Sequence, residues 1–231
     1  NYSIQDYNNK ATMLNLQFFL DYNHTYNDVH QVTGLFGFTS ESFRSEKNEI
    51  RRNFVDPDLY QDTDDTVYET SSYNTPNGFR ERALHSWLGR LGYSYKDKYY
   101  AEVNARYDGS SRFSPDSRWG AFPSFSLGWR LSEEYFMAGT KDYLSNLKLR
   151  LSYGKSGNNR TSDYAWQGTY GTAPVVIDGK QTMGLAVSKI GNNYLEWEST
   201  KALNVGLDFG FFDNRLTGEV EYYNKNTTGI L

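Results

Sequence analysis

The feature that most narrows what this chain can fold into is a strict alternation of apolar and polar residues, with charges in the polar row, sustained over whole strand lengths. From Tyr99 to Tyr107 the odd positions are Tyr99, Ala101, Val103, Ala105 and Tyr107, and the even positions between them are Tyr100, Glu102, Asn104 and Arg106. From Trp119 to Leu131 one row is Trp119, Ala121, Pro123, Phe125, Leu127, Trp129 and Leu131, and the other is Gly120, Phe122, Ser124, Ser126, Gly128 and Arg130. Successive side chains of a strand point to opposite faces, so each stretch is a two-faced ribbon. Similar runs occur at 11–22, 30–42, 83–95, 146–154, 197–209 and 216–225, divided by clusters of Gly, Asn, Asp and Ser. The pattern predicts about eight antiparallel strands, with no helix and no repeat of fixed period.

The connections alternate in length. Segments 23–30, 96–98, 132–144 and 211–215 form a shorter set; between them fall 42–82, 109–118 and 155–196. In an up-and-down sheet the long set gathers at one end. Short turns at one end, long polar loops at the other and strands of about 9 to 13 residues match a transmembrane β-barrel. Composition agrees. Aromatic residues make up 17% of a chain whose mean hydropathy is only -0.74, as expected where apolar surface is confined to a band. No segment approaches the roughly 18 consecutive apolar residues of a membrane helix, so any crossing is made by strands. The net charge of -4 argues against a nucleic-acid partner, and with no cysteine there is neither a disulfide framework nor a thiolate site.

Alternation alone does not say which face meets water, since soluble barrels and sandwiches alternate too. The polar rows carry large charges at mid-strand, and aromatics gather toward strand ends at Tyr93, Tyr95, Tyr99, Tyr107, Trp119 and Trp129, as interfacial girdles do. The expectation is therefore a wet lumen facing Arg90, Glu102, Asn104, Arg106, Lys148, Arg150, Glu219 and Glu221. Lipid and its two interfaces are expected to face Trp87, Tyr99, Val103, Tyr107, Trp119, Phe125, Leu127, Trp129, Leu149 and Leu207.

Catalytic chemistry finds no support. Glu133 and Glu134 are adjacent and, on a strand, point to opposite faces, a poor acid–base pair. His24, His30 and His85 make no metal-binding spacing, and neither a G-x-S-x-G nucleophile turn nor a phosphate loop is present. No enzyme activity, cofactor or metal is expected. The acidic run Asp56, Asp58, Asp62, Asp64 and Asp65 invites calcium, but it lacks a ligand-loop spacing and reads as a solvated loop. At "DGSSRF" the structural expectation is a turn permitted by Gly109 and fixed by an Asp108–Arg112 pair. Trp197 in "LEWES" reads as an interfacial anchor, with sugar stacking as the alternative.

The run "RYDGSSRFSPDSRWGAFPSFSLGWRLSEEYFM" at 106–137, followed by "LSNLKLRLSYGKSGN" at 144–158, resembles the barrel signature of the SusC/RagA-like TonB-dependent transporters of the Bacteroidetes outer membrane. Segments 89–100, 195–231 and the opening "LNLQFFLDYNHTYNDVHQVTGLFGFT" are similar to neighbouring parts of that family in the same order, whereas 42–82 and 155–196 match poorly. The resemblance implies that 1–231 is an internal section of a larger barrel of about 22 strands with a plugged lumen, in the bacterial cell outer membrane. It implies a SusD-like lipoprotein lid, TonB acting through an N-terminal region outside this chain, and an oligosaccharide or peptide as cargo. On that basis Asp108, Arg112 and Trp197 become candidates to touch cargo or lid. Two alternatives stay open: a self-contained eight-stranded outer-membrane barrel, serving as adhesin or enzyme, and a secreted β-sandwich that binds glycans. Pairing of the last strand with the first would mark the former; an apolar row turned into a dry core would mark the latter.

Overall fold

The computed structural model describes residues 2–54, 68–70 and 79–230. The strands are β1 (Tyr2–Tyr26), β2 (His30–Phe54), β3 (Tyr68–Thr70), β4 (Phe79–Tyr95), β5 (Tyr99–Ser110), β6 (Trp119–Arg130), β7 (Leu144–Asn158), β8 (Thr169–Ile177), β9 (Lys180–Lys189), β10 (Glu198–Phe211) and β11 (Leu216–Thr228). The hydrogen-bonded order β1-β2-β4-β5-β6-β7-β10-β11 is that of an up-and-down antiparallel sheet, with β3 on β2 and a separate β8–β9 hairpin. The all-β reading holds, and the eight expected strands are the eight of this path.

Two compact units can be distinguished, Asn1–Asn15 with Glu41–Ala83, and Leu16–Ser40 with Leu84–Leu231. Within the first, Arg44 pairs with Glu46 at 2.6 Å and Glu81 at 3.5 Å and lies over the Phe79 ring, while Arg82 lies over Phe43. Strand pairing here runs through part of the segment expected to be loop, since β2 continues to Phe54 and β4 begins at Phe79. The acidic run 56–65 lies outside the described residues.

In the second unit three short turns join β1–β2, β4–β5 and β10–β11, and all use left-handed residues: Asn27 and Asp28, Lys96 and Asp97, and Phe212 through Asn214. Asn and Asp tolerate that region because their short polar side chains bond locally. Neighbouring connections are stitched by backbone hydrogen bonds, Lys96 N–H to Val29 O at 2.7 Å and Phe212 N–H to Tyr143 O at 3.0 Å. The fourth short connection departs from expectation: two 3-10 turns, Leu131–Glu133 and Tyr135–Thr140, replace a simple loop. Glu133 and Glu134 are therefore not strand residues. The segment 155–196 also differs, because β8 and β9 pair inside it around a turn at Asp178 and Gly179, both of positive φ.

The core is small and sits at the long-loop end. Phe113, Phe122 and Trp197 are its buried hydrophobic residues, with ring centroids 5.3 and 5.2 Å from Trp197. Phe122 reaches this cluster beneath Gly157, where an added Cβ would sit 2.1 Å from the ring, so only glycine leaves room.

Candidate functional site

Residues directly opposite in an antiparallel ladder share a face. Arg90 lies opposite Asn104, which lies opposite Ser124; Glu102 lies opposite Ser126; Arg106 opposite Phe122. The row continues as Ser126–Ser152–Asn204, Arg150–Gly206–Glu221 and Lys148–Asp208–Glu219. All eight residues expected to line a lumen thus occupy one face. The other face carries Trp87–Tyr107, Leu91–Val103–Phe125–Tyr153–Leu203, Leu127–Leu151 and Tyr99–Trp129–Leu149–Leu207, and Trp119 opposite Gly109. All ten residues of the expected apolar row share this second face.

Val103 is 56% exposed, Leu127 49% and Leu149 38%, whereas Asp108 is 7% exposed and Ser86 0%. A soluble sandwich buries its apolar row against a second sheet; among the described residues no second sheet covers this row, and the charged row opposite is open as well, at Arg90, Arg106 and Glu219. Aromatic contacts fall in two bands on the apolar side. Toward the short turns, His30 packs with Tyr95, Tyr95 with Tyr99, and Tyr99 with Trp129; toward the long loops, Tyr107 stacks on Trp119 at 4.9 Å and Phe38 meets Trp87 at 4.6 Å. Eight steps separate Tyr99 from Tyr107 and ten separate Trp119 from Trp129. At ~3.3 Å per residue and ~40° tilt the bands stand about 20 to 25 Å apart, the height of an outer-membrane apolar belt.

On the polar face Arg150 is the hub. It reaches Asp208 at 2.7 Å, Glu221 at 2.9 Å and Glu219 at 3.4 Å. The guanidinium crosses over Gly206, where a Cβ would stand 3.1 Å from Cζ. Lys148 lies over the Tyr100 ring at 4.5 Å. Two recesses open on this side: one of about 490 Å³ includes Glu102, Lys148 and Arg150, and one of about 620 Å³ includes Arg90, Asn104 and Arg106.

Loops 111–118, 159–168 and 190–197 are knitted together at the long-loop end. The expected Asp108–Arg112 pair does not form. Asp108 accepts from Arg106 Nε at 2.7 and 2.8 Å, and Arg112 instead donates to Asp163 at 3.0 Å and to Asn159 O at 3.0 Å. Side chains of one row, two residues apart, stand adjacent, which gives Arg106 the shorter reach. Ser114 donates to Asn193 O at 2.7 Å. Trp197 packs between Phe113 and Phe122 and donates its indole N–H to Arg118 O at 2.9 Å; it sits in the core, at neither a lipid interface nor an open stacking surface. Sequence reasoning missed Lys155, which lines the larger recess; it belongs to the row of Tyr153 by spacing, yet its ammonium lies 5.7 Å from the Phe122 ring centroid.

At the opposite end Glu134 accepts hydrogen bonds from the Tyr99 hydroxyl and from the Trp129 indole N–H at 3.1 Å, with Lys98 3.8 Å away. The Tyr99 bond first, then the Trp129 bond and Lys98, hold its carboxyl below the usual carboxylate range, against a smaller opposing effect of desolvation.

The family model described as TonB dependent receptor-like, beta-barrel matches residues 1–231. The chain belongs to that family. TonB-dependent receptor P39 of Formosa agariphila is 37% identical over 92% of this chain and 20% of its own length. TonB-dependent receptor SusC of Bacteroides thetaiotaomicron is 38% identical over 73% of this chain and 17% of its own length. A solved structure of the RagAB peptide transporter superposes with a TM-score of 0.77 at 25% identity, covering 97% of this chain and 24% of that one. The resemblance to SusC and RagA read from 106–158 is thereby upheld. This TonB-dependent receptor barrel segment is an outer-membrane element, its relatives are receptors and transporters and not enzymes, and it spans about a fifth of their length. Among the described residues β11 does not pair with β1, so the self-contained eight-stranded barrel has no support.

Proposed function

We propose that this segment is part of the barrel wall of a TonB-dependent nutrient importer, its polar face lining the lumen and its apolar face meeting outer-membrane lipid. The observation that carries this is the division of the sheet into an apolar row left exposed, Val103 and Leu127 among it, and a charged row on the opposite face holding Arg106 and Arg150, in a chain of this family. Plug, TonB box and remaining strands of a barrel of about 22 are assigned to other parts of the polypeptide, as the family pattern implies. Cargo is an oligosaccharide or a peptide, taken in under a SusD-like lipoprotein lid; the likeness to the RagAB peptide transporter supports the peptide half, and the membership of SusC in this family supports the lid.

The test is whole-cell uptake in the native bacterium with the full-length reading frame deleted and then restored. Loss of growth on one oligosaccharide or peptide source, recovered by the intact frame but not by a frame lacking the TonB-contacting region, is the expected result. Uptake that survives deletion of that region contradicts energy-coupled import.

A further inference from the structure

The larger recess of the polar face is unbalanced in charge. Arg90, Arg106 and Lys155 line it against a single carboxylate, Asp108. That carboxylate is engaged already, since Arg106 Nε holds both its oxygens. Arg90 donates its Nε to the amide oxygen of Asn104 at 3.0 Å, a partner without charge, and Lys155 has only the face of Phe122. Among the described residues neither cation has a carboxylate within ion-pair distance. The contrast with Arg150, met by three carboxylates on the same face, is the informative point.

The remaining polar lining is of hydroxyl and amide groups, Ser124, Ser156 and Asn159, set among the apolar side chains of Leu35, Leu84, Leu88, Phe122 and Trp197. The backbone behind the recess is consumed in the β4–β5–β6 ladders, so a ligand there is gripped by side chains and not by strand addition. A sugar offers hydroxyls together with apolar ring faces and so matches this mixed lining, whereas a peptide main chain has no free strand edge here to pair with.

We propose that this recess binds an acidic oligosaccharide, the carboxylate or sulfate of a sugar residue being received by Arg90 and Lys155. This rests on the importer reading and narrows its cargo to an anionic glycan. Charge-assisted hydrogen bonds to an anion are about twice as strong as neutral ones, and the attraction weakens as salt rises.

The experiment titrates the full-length transporter, purified from the outer membrane, calorimetrically. The probes are an oligogalacturonate, an alginate oligomer and a sulfated galactan oligomer, with a neutral maltooligosaccharide of similar length and a polyglutamate peptide for comparison. At least one acidic oligosaccharide is expected to bind about tenfold or more tightly than the neutral one, with affinity falling as salt rises. Arg90→Gln and Lys155→Gln are each expected to weaken that binding about tenfold, and Arg90→Lys to restore part of it. Heat-modifiable migration on gels establishes that each variant is folded. Equal or tighter binding of the neutral chain, binding of the peptide alone, binding of none of the acidic oligomers, or unchanged affinity in the folded variants overturns the inference. A transporter that imports a neutral glycan sinks this proposal and leaves the importer reading standing; one without energy-coupled uptake sinks that reading itself.

Discussion

At the scale of single residues, the adjacent pair Glu102 and Val103 carries the whole inside-out argument. Glu102 accepts from Asn104 Nδ2 at 2.8 Å on the polar face, and Val103 stands 56% exposed on the other. A Lys placed on the lipid side of a barrel costs about 2 to 4 kcal/mol near the midplane. Val103→Lys is therefore expected to lower the folded fraction in bilayer insertion assays far more than Glu102→Lys, whose position is wet; equal yields would falsify the assignment. Gly206 makes a second test. A methyl group there meets the Arg150 guanidinium, and a larger side chain displaces it from Asp208 and Glu221. Gly206→Leu is expected to destabilise the folded barrel by about 1 to 3 kcal/mol, as overpacking does, in urea-midpoint measurements. Face membership was legible in the sequence because a period of two needs only local spacing. Partners were not. Arg112 finds Asp163 across 51 positions of chain, and Trp197 finds Phe113, links that no local pattern encodes.

At the scale of elements, legibility depended on whether one face is buried or apolar and the other is not. The eight strands of the main sheet have unlike faces and announced themselves. The β8–β9 hairpin has Tyr170, Val176, Met183, Leu185 and Val187 exposed, with small residues such as Gly171, Ala173 and Gly184 on the alternate positions, so no polar row marks it. The signal that was available is Asp178–Gly179, the two-residue turn with both φ positive that joins hairpin strands. The 3-10 turns after β6 were hidden for another reason: they are held by Glu134 reaching back to Tyr99 and Trp129. Because this carboxyl is held below its ordinary 4.5, the docking it provides is fully present above that value and is lost as pH falls through the lowered one. Acidification below about pH 4.5 is expected to change Trp129 fluorescence, and Glu134→Gln to remove that transition. A titration identical in the variant would show that the segment is held by something else.

At the scale of the molecule, what remains is which end faces the outside. The short turns at Asn27–Asp28, Lys96–Asp97 and Phe212–Asn214 lie at one end of the sheet. The knitted loops and the β8–β9 hairpin lie at the other, because β8 and β9 follow the far end of β7 and precede the start of β10. Outer-membrane barrels turn short connections to the periplasm and long ones outward, and a charged loop of this size is not drawn back through the bilayer once assembled. The sequence contains no cysteine, so a single introduced thiol reports its own location within this segment. Val176→Cys, 72% exposed on the hairpin, is expected to react with a membrane-impermeant maleimide on intact cells. Asp97→Cys, in the β4–β5 turn, is expected to react only after the outer membrane is permeabilised. Labelling of Asp97→Cys on intact cells with Val176→Cys protected would reverse the orientation and place the cationic recess of Arg90 and Lys155 at the exit of the pathway instead of its entrance. That outcome matters for mechanism, because an anion-binding recess near the entrance concentrates dilute cargo, whereas the same recess near the exit retards its release.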